Sequence, residues 1–167
     1  MVSKDLIIDP QQIDCSHVVA DLQEIRRCNR QRDAMEQLTA IVFDDPETNI
    51  CIGYRDVSAD DFWVSGHMPG MPLMPGVLMC EAAAQLCSFH TCRHDLLGCE
   101  VVGFGGLDNV RFRDTVQPGD RLTIVSQITK QRRGRMIISR FQEFVNAKLV
   151  CEGEIRAVPL PVEELKA

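Results

Sequence analysis

From Val77 to Phe89 the only polar positions are Glu81, Gln85 and Ser88, if cysteine counts as apolar. Ala82, Ala83 and Ala84 favour helix there, and Pro75 suits the first helical turn, where its missing N–H costs nothing. Gly98 is a plausible stop. A helix that is apolar all round must be buried all round. This constrains the fold strongly: something in the rest of the chain has to wrap that helix.

What remains is strand-like. "QLTAIVFD" and "NICIGYRDV" read as two strands joined by the Asp/Pro-rich turn "DDPET". Beyond residue 100 come "EVVGFGGLDNVRFR", "RLTIVSQITK", "RMIISRFQEFV" and "LVCEGEIRAV". "QPGD" and "QRRG" lie at turn positions among them. In the last strand Leu149, Cys151, Gly153, Ile155 and Ala157 alternate with Glu152, Glu154 and Arg156. Residues 13–30 read as an amphipathic helix through Val18, Leu22, Ile25 and Cys28. The expectation is an α+β fold, an antiparallel sheet around a central helix. It forms one domain over residues 1–167 with an N-terminal helical segment at about 1–35.

With 167 residues, a single domain buries roughly 70% of its unfolded surface, enough for a core. A net charge of −6 argues against nucleic-acid binding, which calls for a basic excess. No stretch approaches the ~18 consecutive apolar residues of a membrane span, and the N-terminal residues lack a signal-peptide pattern. The expected compartment is therefore the cytoplasm. Eight cysteines read as reduced thiols in that compartment. Cys87, His90 and His94 share a helix face, with Cys92 and Cys99 nearby, but no CxxC pair occurs. Without a zinc spacing, the histidines read as a polar helix end beside the negative dipole terminus.

The chemistry concentrates in "GHMPGMPLMPGVLMCEAAAQL", residues 66–86. Pro69, Pro72 and Pro75 fix φ and bias Met68, Met71 and Met74 to extended backbone. That stiff linker holds His67 in register with the start of the helix, whose free N–H groups and positive dipole end suit a developing oxyanion. Glu81, two turns in and among apolar residues, is a candidate proton donor. Gln85 follows it on the same face. A base, an acid and an oxyanion site suit proton abstraction next to a carbonyl with loss of water.

"GHMPG", "MPGVL" and "EAAAQ", in this order and spacing, resemble the 3-hydroxyacyl–acyl-carrier-protein dehydratases of the FabZ type, relatives of FabA. "FGGLDNVRF" at 104–112, "VQPGDRL" at 116–122, "RRG" and "LVCEGEI" resemble further family segments, so the resemblance spans roughly residues 38–158. It implies the hotdog fold, a long helix wrapped by an antiparallel sheet, and a homodimer at least, often three dimers together. The acyl carrier protein is the implied partner. No metal and no organic cofactor is implied. His67 takes the position of the catalytic His and Glu81 that of the catalytic Glu, in the family contributed by different subunits. Gly76 matches the helix-start N–H that binds the thioester carbonyl; Gly70 and Gln85 match supporting positions. Met68, Met71, Val77 and Phe104 are the expected tunnel lining. The implied activity is dehydration of (3R)-hydroxyacyl thioesters on the carrier protein to trans-2-enoyl thioesters.

Two departures stand out. Met68 replaces the family's Phe. "RRCNRQRDAMEQL" stands where the family has L-P-H-R-x-P-F-L-L-x-D. The FabA branch carries Asp at the position of Glu81, so simple dehydration is expected without isomerisation. A thioesterase on the same scaffold and a catalytically degenerate acyl-binding or dimerisation module are the alternatives. An acidic carrier needs a basic patch on an acidic enzyme; Arg111 and Arg113, and Arg132, Arg133 and Arg135 in the "QRRGR" turn, are the candidates.

Overall fold

A computed structural model describes residues 5–166. Residues 1–4 of the expected N-terminal segment lie outside the described residues. Six strands form one antiparallel sheet: β1 (Ala40–Asp45), β2 (Ile50–Asp56), β3 (Val102–Phe112), β4 (Arg121–Arg132), β5 (Met136–Val145) and β6 (Lys148–Pro159). Their spatial order is β1-β2-β4-β5-β6-β3. Among the described residues there are three α-helices: α1 (Leu22–Cys28), α2 (Gly76–Arg93) and the short α3 (Val162–Leu165).

The long helix α2 lies against β2, β3, β4, β5 and β6 and is met by α1. Met79, Ala82, Ala83, Leu86, Cys87 and Phe89 are among its buried apolar residues, packed with Ile41, Leu122, Ile124, Phe141 and Ile155 of the sheet. The sheet around a central helix expected from the apolar run, and the hotdog fold implied by the resemblance, are thus the observed arrangement. Its close approach depends on small residues: a Cβ on Gly53 of β2 would lie 3.0 Å from the Leu86 Cδ1 atom and 2.9 Å from the Ala40 carbonyl oxygen. None of the helices among the described residues is long and apolar enough to cross a membrane.

The N-terminal region departs from expectation. The helix begins only at Leu22, because Asp21 and Glu24 form a capping box: the Asp21 carboxylate accepts from the Glu24 N–H, and the Glu24 carboxylate accepts from the Asp21 N–H. Residues 13–20 are not helical. Ile7, Ile8, Ile13 and Cys15 cover a second apolar cluster on the sheet, made of Val42, Ile52, Tyr54, Val125 and Phe144. The Val19 and Ala20 N–H groups donate to the Ile41 carbonyl at 2.8 and 3.3 Å. These contacts pack apolar side chains against the sheet, which favours this path of the chain over further helix. Gly98 does not end α2 either: the helix stops at Arg93, capped by His94, and Gly98 serves the following turn with φ +72°.

The two sheet edges differ. Beside β1 runs the Val19–Ala20 bridge to Ile41. β3 pairs only with β6, and Phe104, Leu107 and Phe112 stand exposed along it.

Candidate active site

Sequence places His67 on the connection between β2 and α2, and backbone bonds shape that connection. The His67 N–H donates to Trp63 O at 2.7 Å, Leu73 N–H donates to His67 O at 2.9 Å, and Met74 N–H donates to Val116 O at 2.8 Å. Met68 and Met71 exchange backbone bonds of 3.2 and 2.9 Å around a tight turn, where Gly70 adopts φ +75°. That φ favours glycine. The His67–Met68 peptide is cis. His67 Nδ1 lies 2.8 Å from the Leu73 carbonyl oxygen. A carbonyl can only accept, so Nδ1 carries the proton and Nε2 is the free lone pair of the neutral ring.

Pro75 caps α2 and its carbonyl receives the N–H groups of Leu78 and Met79. Gly76 and Val77 therefore keep the orphan donors of a helix start. A Cβ at position 76 would lie 2.8 Å from the Phe112 ring at the end of β3, so any larger residue there displaces that ring.

Glu81 is half-buried on α2. Its Oε1 accepts from Gln85 Nε2 at 2.8 Å and from Gln31 Nε2 at 3.4 Å. Gln85 is itself pinned: its Oε1 receives the Gln37 N–H at 2.8 Å, and its Nε2 also donates to Met35 O at 2.6 Å. Asn29 Nδ2 donates to the Gln85 carbonyl at 2.9 Å. Segment 29–37, where the chain departs from the family pattern, thus forms one wall of the Glu81 environment. Gln31, Asn29 and Gln37 were not anticipated from the sequence. Their surroundings are polar and aperiodic, and no spacing marks which side chains turn inward.

Glu81 opens on a cavity of ≈ 260 Å³ that also takes in Gln31, Ala84, Ser88, Gly103, Phe104, Ile155 and Leu160. Glu81 is therefore not sealed among apolar groups, as its helical neighbours suggested. Of the expected tunnel residues, Phe104 reaches this cavity. Met68, Met71 and Val77 are 46%, 56% and 75% exposed on the single chain and lie outside it. His67 is not part of the cavity wall, and no hydrogen bond joins it to Glu81 within the chain.

The arginines separate into two places. Arg113 Nε donates to Glu152 at 2.8 Å, and Arg111 borders a polar recess with Asp5, Asn109, Glu152 and Glu154. In the β4–β5 turn Arg133 pairs with Asp95, while Arg132 and Arg135 are exposed.

A second carboxyl lies under α2. Glu143 on β5 is fully buried, its carboxyl beside the Cys151 thiol, which offsets part of the effect of burial. Burial pushes its carboxyl well above the usual range, and the neighbouring Cys80 thiol adds to that.

The geometry has clear relatives. Residues 30–154 match the model of the FabA-like domain. The 3-hydroxyacyl–acyl-carrier-protein dehydratase FabZ of Campylobacter jejuni is 38% identical over 113 residues, 65% of this chain and 77% of that protein. FabZ of Sinorhizobium fredii is 36% identical over 146 residues, 87% of this chain and 93% of its own. Among solved structures, the dehydratase heterocomplex ApeI:P of Xenorhabdus doucetiae superposes with a TM-score of 0.71 at 16% identity. The superposition covers 85% of this chain and 95% of that one, a likeness of fold. With its family match spanning the helix, both candidate residues and most of the sheet, the chain belongs to the FabA-like family.

Proposed function

We propose that the protein dehydrates (3R)-hydroxyacyl thioesters, carried on acyl carrier protein, to trans-2-enoyl thioesters in fatty acid synthesis. The observation that carries this reading is the cavity polarised by Glu81, with Gln85 and Gln31 both loading Oε1. It occurs in a chain 38% identical to a FabZ dehydratase.

Two amide donors occupy Oε1, which leaves Oε2 as the oxygen free to pass a proton to the substrate. The reaction then distributes as follows. His67 Nε2, its partner nitrogen fixed on Leu73 O, takes the proton from C2 of the substrate. The thioester carbonyl oxygen gains charge and is stabilised by the helix-start N–H groups at Gly76 and Val77. Oε2–H of Glu81 protonates the C3 hydroxyl, the C3–O bond breaks, water leaves, and the C2–C3 double bond forms. Proton exchange with solvent returns His67 to its neutral form and Glu81 to its acid form.

His67 and Glu81 meet across two copies of the chain. Supporting this are the separation of His67 from the Glu81 cavity within one chain and the β3 edge, whose outer side is unpaired among the described residues. An exposed edge strand bearing Phe104, Leu107 and Phe112 is a template for pairing with a second copy. Such a pairing would cover the Met68, Met71 and Val77 side chains and complete a tunnel.

The experiment is hydration of a crotonyl thioester, on carrier protein and on coenzyme A, followed by loss of enoyl absorbance. His67→Ala and Glu81→Gln should each lower kcat/KM by about 10²–10⁴. Acyl binding without turnover in the unaltered protein would mean a binding module, and free thiol release would mean a thioesterase.

A further inference from the structure

The histidines at the end of α2 have a setting that the dehydration reaction does not use. His90, in the last turn of α2, and His94, the C-cap four residues on, both turn onto Asp44 of β1. His90 Nδ1 is 2.5 Å from Asp44 Oδ1, and His94 Nε2 is 2.8 Å from Asp44 Oδ2. The two rings lie 5.0 Å apart, edge to face. Cys51, the cross-strand partner of Asp44 on β2, is fully buried. Its Sγ, an Asp44 oxygen and a His90 nitrogen all lie within 4.8 Å of one another.

We propose that Asp44, Cys51, His90 and His94 form a structural zinc site that ties the end of α2 to the β1–β2 hairpin. Four points carry it. The donors are of the types zinc takes: Asp44, Cys51 and His90 form the close cluster, and His94, on the same carboxylate, would swing in to bring the number to the four of a closed structural site. Two imidazoles, a carboxylate and a thiolate are a borderline-soft set that favours zinc over magnesium or calcium. A zinc tetrahedron with such donors has edges of about 3.3–3.8 Å; the Asp44, Cys51 and His90 donor atoms lie within 4.8 Å of one another, and His94 reaches the cluster through Asp44 Oδ2 at 2.8 Å. The charge also balances: one carboxylate and one thiolate neutralise the dication in a site where the His90 and Asp44 side chains are 2% and 4% exposed.

Three adjustments accompany binding. His90 and Asp44 draw apart by about 1 Å, as their hydrogen bond gives way to two metal bonds. Arg93, whose Nε is 3.5 Å from Asp44 Oδ2, turns outward; its side chain is 37% exposed and already leans over the Phe89 ring. The Cys51 proton leaves, because a thiolate and not a thiol binds the metal. The His94 side chain, 22% exposed, provides the entry path.

The test uses the full-length protein stripped with chelator and titrated with Zn²⁺ by calorimetry and with Co²⁺ by absorbance. The expected result is one ion per chain and a higher Tm with zinc. Cobalt should give a tetrahedral visible spectrum with a sulfur-to-metal charge-transfer band. Cys51→Ser should abolish that band, and His94→Ala should weaken zinc binding more than tenfold. The wild-type cobalt spectrum stands whether or not either variant folds. No stoichiometric uptake, an octahedral cobalt spectrum without the sulfur band, or a band that survives in Cys51→Ser would each overturn the site. The last outcome would point to Cys28 or Cys92 as the sulfur donor.

Discussion

The side-chain amide of Gln85 donates to Oε1 of Glu81 at 2.8 Å while its carbonyl oxygen holds the Gln37 N–H at 2.8 Å. One buried side chain thus joins the candidate acid to the segment that departs from the family pattern. Replacing it should harm fold and chemistry together, because Gln85→Ala leaves the Gln37 N–H and the Met35 carbonyl without partners. Each such orphan costs about 1–3 kcal/mol. Gln31→Ala removes only the longer 3.4 Å contact to Glu81. It should leave Tm nearly unchanged and lower kcat about three- to tenfold, at constant KM. Thermal melts beside steady-state kinetics separate the two effects. A Gln31→Ala enzyme with full kcat would remove Gln31 from the positioning of Glu81.

The proposed division of the site between two chains has a direct test. His67→Ala and Glu81→Gln, each inactive alone, are mixed and allowed to exchange subunits. Half of the randomised dimers are then mixed, each with one intact site of two, so about a quarter of wild-type activity should return. Exchange shown by mass spectrometry with no activity would place both residues in one chain's site.

How much of this was legible in the sequence depends on how local the signal is. α2 could be read because an apolar-all-round helix has one kind of environment. The strands could be read because their turns carry Gly, Pro and Asp. The capping box at Asp21 and Glu24 was also in the sequence, but the apolar period through Val18, Leu22 and Ile25 ran past it. Contacts of Ile13, Cys15 and Ala20 with the sheet decided that boundary. Local spacing grouped Cys87 with His90 and His94, whereas Asp44 and Cys51 are brought to the histidines by strands β1 and β2. Gln31 reaches Glu81 across 50 residues, a contact that no periodicity encodes.

Gly76 should tolerate a methyl group poorly in function and better in stability. Alanine at this helix start gains up to about 1 kcal/mol of propensity, but its Cβ would lie 2.8 Å from the Phe112 ring. Phe112 is 54% exposed and can yield. Gly76→Ala is therefore expected to melt close to wild type while kcat/KM falls at least tenfold, as the displaced ring alters the helix-start N–H groups facing the thioester. Unchanged kinetics would argue that the carbonyl binds elsewhere.

Glu143 makes stability depend on pH. Its folded-state pKa is raised by burial above the ordinary 4.5, so the folded protein holds a proton that the unfolded chain gives up. The neutral carboxyl is fully compatible with folding below about 4.5. Stability is lost as pH rises from there towards the folded value, with a slope of at most about 1.4 kcal/mol per pH unit. Glu143→Gln removes this titration. Urea melts across a pH series should show the variant gaining on the wild type as pH rises; parallel curves would mean that Glu143 does not titrate between the two states.

Carrier docking divides the arginines by what already holds them. The chain is acidic, with a net charge of −6, so an acidic carrier needs a local positive site to approach productively. Arg113 is engaged by the nearly buried Glu152, which lies opposite Arg111 on β6. Charge reversal there sets two carboxylates together and should lower stability, with equal loss of activity on carrier-bound and coenzyme A substrates. Arg111 is exposed at the rim of a recess that also contains Glu152 and Glu154, so its pull on a partner is partly offset. Arg111→Glu should raise KM for the carrier-bound substrate about threefold, mainly through slower association, and the effect should shrink as salt screens it. KM for the coenzyme A thioester should hardly move, because His67, Glu81 and the cavity are untouched. Equal changes on both substrates would give Arg111 a structural role, and no change on either would shift the docking surface to Arg132 and Arg135, which charge reversal in the β4–β5 turn can test in the same assay.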